Sequence, residues 1–250
     1  MDSDVRFQNF ERDLADLRLL HLADSALPIG GLAHSFGLES LVSQELLGVG
    51  ALPEFLHSFL EEAGMLEAVF CREGFLLGRP DADTTSERQG AKNFCADRWV
   101  ELNDRLGAWK PARESRAGSA SLGKNFLSAA AALGDFAVLK EALEATKQTG
   151  GANYHSLAFG LVSGALGFEE HRAVLAYLHQ SVASLVSACQ RLLPLGQSAA
   201  TRILWNLKPV ILETANRSGT CTVDDVCCFT PLLDWGAMEH PSLQTRLFIS

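Results

Sequence analysis

His34 and Ser35 set an imidazole beside a hydroxyl, the two groups from which nucleophilic catalysis is most often built. Such chemistry needs the ring to reach the hydroxyl and a third group to orient the ring. Neighbours on a helix point about 100° apart, so adjacency in sequence works against that geometry. The pair reads instead as a polar contact at a helix junction or an interface. Cys221, Cys227, Cys228 and His240 are a second candidate set, since thiolate and imidazole are ligands that nickel, zinc and copper accept. Their spacing matches none of the compact Cys-x2-Cys or His-x3-His patterns that pre-shape a site, so buried apolar thiols are the default and a metal site is the alternative. Arg113-Glu114-Ser115-Arg116 follows Pro111 and reads as the solvated start of a helix with local ion pairs. Arg191 lies inside an apolar run ending Leu192-Leu193-Pro194, where a guanidinium is expected to reach a carboxylate, a helix C-terminus or a subunit boundary. His155 opens an apolar segment and reads as a capping or core histidine.

Several chemistries are excluded at this level. The chain has no Gly-rich loop ending in Gly-Lys-Ser/Thr, no dinucleotide glycine fingerprint and no His-Glu-x-x-His. Lysine and arginine number 21 against 30 acidic residues, a net charge of −9, which disfavours nucleic acid or an anionic membrane as the main partner. Met1 to Asp16 is polar and acidic, unlike a signal peptide, and no run is long and apolar enough to span a bilayer. The six cysteines are irregularly spaced, as free thiols of a cytoplasmic protein would be.

These residues must be positioned by helices. Apolar side chains recur at three- and four-residue steps along Leu14–Leu20, Phe55–Phe70, Trp99–Trp109, Ser119–Leu133, Phe136–Thr146, Leu175–Leu192 and Ile203–Ile211. Pro53 suits a first helical turn, Gly150-Gly151 a stop, and Pro209 a kink or broken turn. Pro28-Ile29-Gly30-Gly31 specifies a compact break between two helices, with His34 and Ser35 just beyond it. Gly78 to Gly90 reads as a surface loop, and Cys221 to Val226 as a weak strand pattern. The expectation is an all-α, single-domain bundle of roughly ten helices over residues 1–217. Residues 218–250 then form an irregular but apolar C-terminal tail of the same domain, and Trp235, Leu247 and Phe248 require it to dock on something.

The motifs together resemble the urease accessory proteins called UreF. The resemblance rests on Leu22-Ala23-Asp24-Ser25-x-Leu27-Pro28-Ile29-Gly30-Gly31 with His34-Ser35-x-Gly37-Leu38-Glu39, and on Lys110-Pro111-Ala112-Arg113-Glu114-Ser115-Arg116 with Leu122-Gly123. It continues through His155 with Ala158-Phe159-Gly160 and Arg191-Leu192-Leu193-Pro194-Leu195-Gly196-Gln197, and closes with Thr230-Pro231, Asp234, Met238, His240 and Arg246-Leu247-Phe248. It implies an all-helical homodimer that is not an enzyme and needs no cofactor. Its partners would be the accessory protein UreD (also UreH), the GTPase UreG and apo-urease, to which nickel is delivered. The residues expected to touch partners are Pro28, Gly30, His34, Ser35, Glu39, Arg113, Glu114, Arg116, Arg191, Gln197, Asp234, His240, Arg246, Leu247 and Phe248. A nickel-binding metallochaperone using Cys221, Cys227, Cys228 and His240 is the competing expectation.

Overall fold

The structure, a computed structural model, describes residues 2–80 and 94–250, and among these the elements are helices with no strand. Two helices lead to the junction, α1 (Asp2–Leu22) and the short α2 (Leu38–Ser43). Next come α3 (Leu52–Phe59) and α4 (Met65–Gly78), which a π-helical turn at Leu60–Gly64 joins into one rod. Beyond residue 93 lie α5 (Ala96–Ala108), α6 (Arg113–Ala131), α7 (Ala137–Thr149), α8 (His155–Ala165) and α9 (Glu170–Leu192). The chain finishes with α10 (Gln197–Asn206), α11 (Lys208–Ser218) and α12 (Pro231–Glu239). Of the loop expected over Gly78–Gly90, residues 81–90 lie outside the described residues.

Helix α8 is the hub. Leu157, Ala158, Phe159, Leu161 and Val162 are all buried, so this helix is apolar on every side. It meets α4 at contact distance because glycines face each other across the crossing. A Cβ on Gly160 would stand 1.9 Å from the Cys71 carbonyl oxygen, and one on Gly78 would stand 2.1 Å from that of Leu161. Gly74 and Gly164 are equally crowded, so each helix offers a small-x-x-x-small face to the other. Around this pair pack Trp99, Leu102 and Leu106 of α5, Phe126 and Leu127 of α6, and Leu178 and Val182 of α9, all buried.

Most expected boundaries hold for the expected reasons. Pro53 occupies the first turn of α3, and Gly150 ends α7 with φ 70°. Pro209 lies in the first turn of α11, two residues after α10 and α11 part at Leu207. Four expectations fail. Leu17 and Leu20 are exposed, whereas Leu19 and Leu22 are buried. The last turns of α1 lie against the body, where Arg172 of α9 donates twice to the Asp16 carboxylate at 2.6 and 2.7 Å. At the α3 end of the rod, Leu52, Leu56 and Leu60 are the fully buried positions and Phe55 and Phe59 only half so, whereas Leu66 and Phe70 of the same stripe are buried on α4 as expected. The π turn adds a residue and hands the buried face from one register to the next. Cys221 to Val226 is a turn closed by Asp225, whose carboxylate accepts from the Thr222 amide and hydroxyl. Finally, the apolar tail is not wholly irregular, because it contains α12 behind Thr230-Pro231.

Candidate functional site

The junction between α1 and α2 is built from backbone that few residues tolerate. Gly30 has φ 92°, Phe36 φ 51° and Gly37 φ 97°. Gly37 also has no room for a side chain, since a Cβ would sit 2.7 Å from the Ala237 amide nitrogen of α12. The strained turn at Phe36–Gly37 therefore brings the start of α2 directly onto α12.

Onto this junction the last residues of the chain are latched. Ile249 donates its amide to the Ala33 carbonyl at 2.8 Å, and the amides of Ser35 and Phe36 donate to the Ser250 carbonyl. His34 Nδ1 lies 2.7 Å from Ser250 Oγ, in space that Gly118 of α6 leaves open. Glu39 is the centre of the latch. Its Oε1 accepts from the Leu247 amide at 2.6 Å, and its Oε2 from the Phe248 amide at 3.1 Å and from His240 Nε2–H at 2.9 Å. The other ring nitrogen of His240 faces Glu114 Oε2 at 2.6 Å, and Arg246 reaches the second oxygen of Glu114 at 3.4 Å. Carboxylates only accept, so both contacts are satisfied together when both ring nitrogens of the fully buried His240 carry hydrogen. Arg191 caps the assembly, its guanidinium 4.0 Å from the centre of the Phe248 ring and bonded to the Leu32 carbonyl.

The structure therefore gathers most of the residues named from sequence. His34, Ser35, Glu39, Glu114, Arg191, His240, Arg246 and Phe248 meet in one constellation. Within it Ser35, Glu39, His240 and Phe248 are buried in the chain's own contacts, while Pro28, Gly30 and Leu247 are exposed. Others lie apart. Arg116 folds back onto the carbonyls of Lys110 and Pro111 at 2.6 and 2.7 Å, and Arg113 is exposed. Gln197 pairs with Gln190 at the start of α10, and Asp234 is held by Thr230 in the first turn of α12.

Neither chemical reading from sequence is assembled. His34 turns to Ser250, while the Ser35 hydroxyl accepts from the Glu39 amide at 3.5 Å. Among the described residues no three His, Cys, Asp or Glu side chains are grouped to hold a metal ion, and both nitrogens of His240 are already engaged. Burial pushes the Cys228 thiol up, which further disfavours the ligating thiolate.

Beneath the junction lies a cavity of about 140 Å³ that sequence reasoning missed. Glu67 of α4 and Lys110 form a partly buried ion pair at its wall, and the Tyr177 hydroxyl donates to the second Glu67 oxygen at 3.2 Å. Burial alone would raise the Glu67 carboxyl, but the Lys110 charge and the hydrogen bonds outweigh it and hold the group below its usual value. The available signal was a lone carboxylate inside Leu66-Glu67-Ala68-Val69-Phe70, which must find a cation if buried. His155 lines the same cavity, packed edge-on to Phe126 and Phe159, and burial lowers its pKa to about 4. An unfolded histidine takes its proton near 6.5, so the unfolded chain gains a proton that the folded one refuses as pH falls from about 6.5 to about 4. The full stability is present above that window. His155→Phe is expected to flatten the loss, by up to about 1.4 kcal/mol per pH unit, in urea unfolding curves compared at neutral and mildly acidic pH.

The UreF family model matches residues 48–208. The chain is 30% identical over 237 residues to urease accessory protein UreF of Corynebacterium glutamicum strain R, covering 94% of this chain and 98% of that one. The chain belongs to the UreF family. The Haemophilus influenzae strain PittGG protein of the same name is 31% identical over 245 residues, covering 97% of this chain and 99% of its own length. That of Bradyrhizobium sp. strain ORS 278 is 31% identical over 234 residues, with 93% and 91% covered. Glu39, His240 and the closing Arg246-Leu247-Phe248 all fall outside the stretch matched by the UreF model, which takes in Glu67, Lys110, Glu114 and Arg191.

Proposed function

We propose that this chain is a non-catalytic adaptor of urease maturation, working in the cytoplasm. It joins a UreD/UreH-type subunit to the GTPase UreG and modulates GTP-dependent delivery of nickel to apo-urease. The observation that carries the reading is the latch. Phe248 and Ser250 are held inside by Glu39, His34 and the junction backbone, and the alternating residues Leu247 and Ile249 are thereby turned outward. Leu247 is 58% and Ile249 69% exposed, next to the half-exposed Leu32 of the junction. Apolar groups fixed on a rigid surface lose little entropy on binding and make effective interface anchors. Residues 218–250 are read as part of the same domain as the helical body. The exposed Trp205 and Leu212 of α10 and α11 are the candidate face for a homodimer.

The test changes only the outward side chains. The double substitution Leu247→Ser with Ile249→Ser is expected to leave the melting temperature unchanged and to weaken co-purification with the UreD/UreH-type subunit at least about tenfold. Deleting Leu243 to Ser250 is expected to abolish it. Unchanged affinity in the double variant overturns the reading.

A further inference from the structure

The geometry points to a second docking surface, a groove between α3 and α12 that takes a basic, amphipathic segment of a partner protein. The groove has a volume of about 320 Å³ and lies over the α2–α3 loop, the outer side of α3 and the approach to α12. Its apolar walls include Leu46, Phe55, Phe229 and Leu232. Phe229 is 76% exposed, and its backbone amide donates to Glu62 Oε2 at 2.9 Å. Farther along α12, outside the groove, Trp235 and Met238 are also exposed. Large apolar groups kept contiguous at the surface mark a binding site.

Charge selects the occupant. The ionisable residues lining the groove are Glu54 and Glu62, and the lining contains neither lysine nor arginine. A second copy laid symmetrically on this face would bring those carboxylates against their own equivalents, at a cost in like-charge contact. A segment with apolar residues on one side and lysine or arginine at its edges fills the walls and pairs with the rim. This inference rests on the adaptor reading only in treating docking as the chain's work.

The full chain is titrated calorimetrically with a synthetic leucine–lysine amphipathic helix and with its leucine–glutamate counterpart. The lysine peptide is expected to bind and the glutamate peptide not to. Phe229→Ser, Leu232→Ser and Glu54→Lys, all at exposed side chains, are each expected to weaken binding about tenfold or more. Equal binding by all variants would mean general attraction to an acidic protein and overturns the inference, as does binding of the glutamate peptide. Concentration-dependent self-association that Phe229→Ser abolishes overturns it too, in favour of a second copy. The substitutions at Leu247 and Ile249 leave the groove untouched, so a failed adaptor test with intact peptide binding refutes only the adaptor reading.

Discussion

Replacing Glu39 with alanine is expected to release the last residues of the chain and to cost about 3–5 kcal/mol of stability, the range for breaking a buried ion pair on one side. The carboxylate has three bonds to lose, two of them to the amides of Leu247 and Phe248. The third leaves His240 buried with Glu114 alone. The cost comes from what remains, since an imidazole with no exposed surface and two amides would face a methyl group. Phe248, 4% exposed in the latched state, would be free to leave its place under Arg191. Chemical denaturation measures the loss, and amide exchange locates it: Leu247, Phe248 and Ile249 should lose protection before the α4–α8 core does. His240→Ala should reproduce most of the effect, because it leaves two carboxylates with one cation between them. A Glu39→Ala protein with native stability and protected tail amides would show that the latch contributes nothing.

Gly160→Ala is expected to be damaging through sterics alone. Its Cβ would lie 1.9 Å from a backbone oxygen, and backbone cannot swing aside as a side chain end can. Helices α4 and α8 must separate, and the separation propagates to Phe70, Phe75 and Phe159, all buried at or near their contact. Overpacking of a well-filled core costs about 1–3 kcal/mol, and the upper end applies where only backbone can yield. In a chain of this size that lowers the melting temperature by roughly 6–12 °C. Gly150→Ala is the informative contrast. That glycine has open space for a Cβ but φ 70°, so its penalty is conformational and smaller, about 1 kcal/mol.

The two variants probe different levels of the molecule. Gly160→Ala loosens the body and with it everything the body carries. Glu39→Ala leaves the body packed and removes the rigid presentation of Leu247 and Ile249. Should the second variant lose partner binding while keeping the α4–α8 core intact, the latch acts by holding the tail in shape rather than by stabilising the fold.

Sequence alone determined the helical architecture, because it is written in local periodicity. The buried stripe of α9 through Leu178, Val182, Leu185 and Cys189 could be read directly, as could stops such as Gly150 and the break at Pro209. Residue types brought out His34, Ser35, Glu114, Arg191 and His240, and the resemblance to UreF motifs added Glu39 and Arg246. The UreF motifs likewise join the junction to the chain's last residues. What sequence could not supply is which of those groups face each other. Glu39 and His240 are 201 positions apart, and no local rule relates them. Whether Phe248 points inward and Leu247 outward depends on where the tail's backbone finds its acceptors. The cavity with Glu67 and Lys110, the close glycine crossing, the π turn that shifts α3 and the outward face of α12 are likewise products of three-dimensional packing. Local sequence fixes which elements form and which groups they carry. The direction each group faces is decided only when distant elements compete for the same buried space.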